Sequence, residues 1–182
     1  AASSNTRGLF AGGYNSGVLN VIDYITIATT GNATDFGDAT RSTGYFTGVS
    51  SSTRAVFATG QGGINTMDYV EIGTAGNALD FGDKTASNSF GASCSSPTRG
   101  LFAGGTRTLT NIIDYVTIAT TGNATDFGDL TLSREQLTAF ASPTRAVAAG
   151  GYNAGYKTTM DYVTIASTGD RKSTRLNSSH VK

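Results

Sequence analysis

The chain has 182 residues, 38 % of them hydrophobic, with 13 basic and 13 acidic side chains in balance. That is length enough for a sizeable core, and the balanced charge argues against a strongly electrostatic partner such as duplex nucleic acid. The single cysteine, Cys94, excludes a disulfide within the chain, and no apolar run approaches the length of a membrane-spanning helix.

In chain order, "TRGLFAGG" (6–13) predicts a short apolar strand that stops at a glycine pair, where backbone must turn with φ > 0 or pass close to another segment. A polar loop, "YNSGVLN" (14–20), leads to a second strand that carries Asp23-Tyr24. "GNATDFGD" (31–38) predicts a turn and a third strand, and "GYFTGVSS" (44–51) a fourth. At Thr53-Arg54 the wording starts again, and it does so once more at Thr98-Arg99 and at Thr144-Arg145.

The Asp-Tyr pair recurs at 23–24, 68–69, 114–115 and 161–162, in steps of 45, 46 and 47 residues, so one supersecondary unit is used four times. Asp-Phe-Gly-Asp closes the first three copies, at 35–38, 80–83 and 126–129. In the third copy, alternation puts Ile113, Tyr115 and Thr117 on one face and Ile112, Asp114, Val116 and Ile118 on the other. Both faces are largely apolar, which predicts strands covered on both sides. Apolar residues keep helical spacing for no more than one turn anywhere, so the expected class is all-β.

Four-stranded units of this length point to propeller blades, and the wording resembles the kelch-type repeat. Gly12-Gly13, Gly104-Gly105 and Gly150-Gly151 match that family's doublet, and Tyr24, Tyr69, Tyr115 and Tyr162 match its Tyr. Phe36, Phe81 and Phe127 stand where Trp is usual; the chain has no Trp, and its second copy reads Thr59-Gly60. The resemblance implies an open arc of a kelch-like β-propeller over residues 1–169, about three and a half blades, with repeats starting near 6, 53, 98 and 144. More narrowly, "TRGLFAGG…IDYITIATTGNATDFGD" is similar to repeats of bacteriophage virion and tail-fibre proteins, marine ones especially. That implies a non-catalytic structural or adhesion protein on the virion, outside the cell. The alternative is a secreted bacterial propeller, either an adhesin or a piece of a kelch-type oxidase or lyase.

After Gly169 the fourth copy changes to "DRKSTRLNSSHVK" (170–182), which resembles the translation of a sequencing-library adapter. These residues are set apart from the repeat as non-native and are expected to pack on nothing, and the chain is expected to be a fragment. Without Asp170, Arg171, Lys172, Arg175 and Lys182 the net charge falls from zero to −3.

The only histidine, His180, lies in that tail, so the repeat carries no Ser-His-Asp or Cys-His arrangement and no imidazole ligand. Neither a cofactor nor a metal is expected. Asp-Phe-Gly occurs without the lysine strand and His-Arg-Asp loop that a kinase needs. Asn32, Asp35 and Asp38, with their counterparts in the next two copies, lack the spacing of an EF-hand loop and read as turn formers.

Two sets of candidates remain. The first is the varied loop after each glycine pair, where Tyr14, Asn15, Arg107, Tyr152, Asn153 and Tyr156 could stack on and hydrogen-bond to a sugar. The second is a recurrent ion pair between Arg7, Arg54, Arg99 or Arg145 and Asp23, Asp68, Asp114 or Asp161, because a charge on a covered strand needs a partner. The partners expected are host-surface glycans or other virion proteins within a larger propeller or multimeric fibre, with neither nucleic acid nor membrane insertion.

Overall fold

A computed structural model describes residues 1–58, 60, 62–106, 109–169 and, as backbone, 171–175. The described residues are all-β and include no helix, hence none that could cross a membrane. They form four antiparallel sheets of four strands, each sheet built from strands consecutive in the chain. The first holds β1 (Ala2–Ser3), β2 (Arg7–Tyr14), β3 (Val18–Thr26) and β4 (Thr34–Asp38), and the second β5 (Thr47–Ser50), β6 (Arg54–Ala58), β7 (Ile64–Glu71) and β8 (Leu79–Asn88). The third holds β9 (Ala92–Ser95), β10 (Arg99–Ala103), β11 (Ile112–Thr117) and β12 (Thr125–Asp129), and the fourth β13 (Thr138–Ala141), β14 (Arg145–Ala149), β15 (Thr159–Thr164) and β16 (Arg171–Arg175).

The sheets are out of phase with the sequence copies. The strand that follows Asp-Phe-Gly-Asp pairs not with its own copy but with the next Thr-Arg strand, as β5 does with β6. The reason is local: a tight turn follows β5, and in it the Ser51 hydroxyl accepts from the Arg54 N–H at 3.1 Å. The same serine cap recurs from Ser4 to Arg7, Ser96 to Arg99 and Ser142 to Arg145. These short first strands stand side by side, β1 against β5, β5 against β9 and β9 against β13. Serine hydroxyls tie them together: Ser50 donates to the Ser3 carbonyl at 2.8 Å and Ser95 to the Ser50 carbonyl at 3.0 Å.

Each core is a joint between consecutive sheets. Leu9, Ile22 and Phe36 of the first sheet meet Phe57, Val70 and Ile72 of the second. Val56, Met67 and Phe81 then meet Phe102, Val116 and Ile118, and Leu101, Ile113 and Phe127 meet Ala146, Val163 and Ile165. The third strand is therefore covered on both faces, Ile113 in one joint and Val116 in the other, as its alternation requires. The Phe of Asp-Phe-Gly-Asp stands edge-on to the Tyr of the neighbouring strand, with centroids 5.9, 6.0 and 5.9 Å apart in the three sheets. Burying each Phe is worth about 1.5–3 kcal/mol against about 0.5–1.5 for the ring pair, so burial dominates.

A backbone clasp closes the first two joints on their outer side. The Gly76 and Ala78 N–H groups donate to the Phe36 and Asp38 carbonyls, both at 2.7 Å, and the Asn77 side chain accepts from the Asp38 N–H at 3.1 Å. Gly122, Ala124 and Asn123 repeat this on Phe81 and Asp83. The Asn77 and Asn123 side chains are thus spent on hydrogen bonds, as are Asp35, Asp80 and Asp126, which accept from the glycine two residues on. That glycine is required by the clasp: Gly82 has φ 133°, and a Cβ there would lie 2.5 Å from the Gly122 carbonyl oxygen.

The tail departs from expectation at the backbone level. Residues 171–175 run beside β15, Thr159 opposite Arg175 through Val163 opposite Arg171. An open strand edge pairs by backbone groups whatever the side chains, so pairing needs no repeat wording. Residues 170 and 176–182 lie outside the described residues.

Gly82→Ala is expected to lower the stability of the chain by about 2 kcal/mol in urea unfolding, through φ strain and loss of the clasp. Gly73→Ala, at an exposed turn with nothing near its Cβ, is expected to stay within about 0.5 kcal/mol of the parent.

Candidate functional site

The second strand of each sheet ends, and the third begins, at one end of the molecule, and the connections from sheet to sheet cross that same end. They lock onto the glycine-pair loops. The Gly105 N–H donates to the Arg134 carbonyl at 2.9 Å, Ser89 pairs with Thr106, and Glu135 pairs with Tyr152. Gly104, at φ 65°, leaves room for the crossing chain: a Cβ there would stand 2.5 Å from the Arg134 carbonyl oxygen.

Of the loop residues singled out from sequence, the structure brings Tyr152, Asn153 and Tyr156 together. The two rings lie edge to face 5.7 Å apart, and Tyr156 is 91 % exposed. The Asn153 side chain donates to the Ser133 carbonyl at 2.8 Å, which holds the loop on the third sheet's connection. Tyr14 ends β2 and Asn15 opens a loop of the same build on the first sheet: the Asn15 N–H donates to the Gly17 carbonyl as that of Asn153 does to Gly155. Tyr14 is 74 % exposed. Arg107 lies outside the described residues.

Sequence reasoning missed Tyr45, Phe90 and Gln136. Each lies two residues before a short first strand, and each has positive φ, at 63°, 55° and 53°. The other non-glycine residues with positive φ among those described, Ser16 and Ala154, are in the tyrosine loops. All five therefore lie at one end.

The recurrent Arg and Asp do not pair as expected. Strand register explains why: Asp23, Asp68 and Asp114 stand opposite Phe10, Phe57 and Phe102, and Asp161 opposite Ala148, three residues past the Arg and so on the other face. The Arg instead lies over the Tyr of its own sheet, 4.7, 4.6, 4.7 and 4.9 Å from the ring centroid for Arg7, Arg54, Arg99 and Arg145. It then reaches the following sheet: Arg7 donates to the Ile72 carbonyl at 2.9 Å, Arg54 to Ala119 at 2.9 Å, and Arg99 to Ile165 at 2.8 Å. Arg54 also pairs with Glu71 at 2.6 Å.

The Asp faces the preceding sheet. Asp68, Asp114 and Asp161 are buried and accept from Thr40, Thr85 and Thr131, each through hydroxyl (2.6, 2.6 and 2.7 Å) and backbone N–H. Asp23, with no sheet before it in this chain, is half-buried. Each joint adds a cation, but from a shifting position. Arg41 stands 3.2 Å from Asp68, Arg134 stands 3.0 Å from Asp161, and Lys84 lies near Asp114 while donating to the Asn88 side chain. Burial pulls the Lys84 ammonium down to about 8, against the pull of Asp114, and Arg41 lowers it further. Burial also raises the Asp114 carboxyl, which the Thr85 hydrogen bonds and Lys84 oppose. Cys94, half-buried in β9, is pushed up to about 12 by desolvation and is no thiolate nucleophile near neutral pH.

The two charge systems give separate expectations. Because the folded pKa of Lys84 is depressed, the unfolded chain binds more protons between about pH 8 and 10.5, and stability should rise with pH across that window. The gain should be about 3 kcal/mol in urea unfolding and absent in Lys84→Met. Arg134→Met, which strands the buried Asp161 carboxylate, should cost about 3–5 kcal/mol. Arg145→Met removes an exposed stack and should cost less than about 1 kcal/mol.

Comparison with known proteins leaves the function to be argued from this geometry: no family model matches the chain, and no curated protein matches it in sequence.

Proposed function

We propose that the chain is an open arc of a kelch-like β-propeller from a phage virion or tail-fibre protein. Its role is display or adhesion, not catalysis, with one end turned to host-surface glycans. The propeller reading is supported by four sheets packed face on face, with their shortest strands side by side. The half-buried Asp23 supports an arc within a larger propeller or fibre, since its three counterparts are buried by a preceding sheet. A repeat proper that ends at Gly169 is supported by register. The pairing of β12 with β11 shifts between Ile113 and Asp114, as it does in the first two sheets, whereas β16 runs straight along β15.

One observation carries the adhesion reading. The strained non-glycine backbone and the most exposed tyrosines gather at one end, while the repeated wording is used up in the joints. Such strain costs roughly 1–3 kcal/mol per residue and gathers where binding needs it. The buried ionisable groups among the described residues, Asp68, Lys84, Asp114, Arg134 and Asp161, hold sheets together, and this supports a non-catalytic role. A tyrosine presents an apolar face to a sugar ring and a hydroxyl to its edge. Many copies on a fibre raise weak single-site binding by avidity.

The test is a glycan array probed with a multimeric form of the chain and with a variant carrying Tyr14→Ala, Tyr152→Ala and Tyr156→Ala. The parent is expected to label a subset of glycans and the variant to lose most of that signal. Equal signals from both would move the site away from these loops, and silence from the parent would leave a purely structural role.

A further inference from the structure

Resting on the glycan reading above, we propose a second sugar-stacking subsite that uses none of the loop tyrosines: the ring pair Tyr45–Phe90 with the amide of Gln136. The three residues come from three successive connections, between the first and second, second and third, and third and fourth sheets. The connections therefore converge here. The Tyr45 and Phe90 rings are 4.6 Å apart and inclined by 49°, and the Gln136 N–H donates to the Phe90 carbonyl at 2.8 Å.

Three observations point to a ligand of this class. The first is conformational. An aromatic residue at positive φ is uncommon and strained, and glycine would hold the same turn without strain. Here aromatic residues occupy the position in two consecutive connections. The second is exposure. Tyr45 is 58 % exposed, Gln136 is exposed and Phe90 is half-buried, so the Tyr45 ring and the Gln136 residue face solvent beside a Phe90 ring that no core cluster includes. The third is charge. The cations of these connections nearest the rings in sequence, Arg41 and Arg134, are turned inward onto Asp68 and Asp161, so neither is offered at the surface beside the rings. Apolar ring faces beside a phenol and an amide suit a neutral saccharide: C–H faces stack and hydroxyls bond at the rim. The phosphates of a nucleic acid would find no partner in Arg41 or Arg134, both held by carboxylates.

The experiment uses the full chain in affinity electrophoresis through gels containing amylose, galactomannan, a β-glucan or, as an anionic control, alginate. Titrations follow tyrosine emission with the matching hexasaccharides and with a dT12 oligonucleotide. Tyr45→Gly/Phe90→Gly removes the rings but keeps the turn. Tyr45→Asn/Phe90→Asn does the same with a second residue type that tolerates positive φ. Both are expected to keep or raise the melting temperature while weakening retention on a neutral polysaccharide about tenfold or more, close to the loss of one strong contact. Parent-like retention by both variants, with loss in the triple loop variant, would overturn this subsite and leave the glycan reading standing. A lower melting temperature in both would assign the rings to stability and overturn it too. A parent that is retarded by no saccharide, or that prefers dT12, would overturn both readings.

Discussion

A four-stranded sheet that is apolar on both faces cannot stand alone, and the joint between sheets is the constraint from which the rest follows. Its centre is a buried carboxylate. Asp68, Asp114 and Asp161 sit among apolar side chains, where an unpartnered charge would cost several kcal/mol. The threonine two residues past Asp-Phe-Gly-Asp supplies both donors, from the previous sheet. The Arg contact runs the same way, to a carbonyl of the following sheet, and the clasp returns, from the Gly76 and Gly122 N–H groups to the Phe36 and Phe81 carbonyls of the preceding sheet. Each sheet thus satisfies the polar needs of its neighbours on both sides, and neighbours fit only in one register.

Much of this was legible because the period was. Four strands per copy, two-sided cover of the Asp-Tyr strand and the close approach at the glycine pairs all followed from alternation and turn chemistry. The Arg–Asp pairing did not, and the reason is parity: three residues along a paired strand reverses the face, which spacing within one strand does not reveal without the register. The cations at the joints were hidden for a different reason. Lys84, Arg41 and Arg134 come one, three and five residues after the closing Asp, so no column of the repeat holds a charge. Electrostatic need is met at a place in space, and the chain can reach it from several positions. Tyr45 and Phe90 were missed because φ is not written in the letters, and an aromatic before a strand reads as part of that strand.

The two ends of the molecule are built to different rules. Along the joints, glycine takes the positive-φ positions, hydrogen bonds close, and variation between copies is small. At the loop end, Ser16, Tyr45, Phe90, Gln136 and Ala154 hold left-handed backbone without glycine's freedom, and the wording changes from copy to copy. A rigid frame can carry such strain because the joints over-determine where the connections cross. The separation also explains how the tips can differ in sequence while the strands beneath them stay in register: the tips meet the connections through hydrogen bonds and their tyrosines take no part in the apolar cores.

The fourth sheet shows which part of the repeated sentence is about strands and which is about joints. Residues 171–175 pair along β15 with wording unrelated to Asp-Phe-Gly-Asp, so forming an outer strand needs little beyond a free edge and a chain long enough to reach it. What this strand lacks is the register shift of the other three and, in its sequence, the Phe that each of them buries. Phe36, Phe81 and Phe127 all stand in a joint with a following sheet, and the threonine beyond each reaches an Asp of that sheet. A strand can be made from many sequences; a strand that another sheet can sit on cannot. The chain repeats its wording because three times over it must present the same socket to the sheet that comes next.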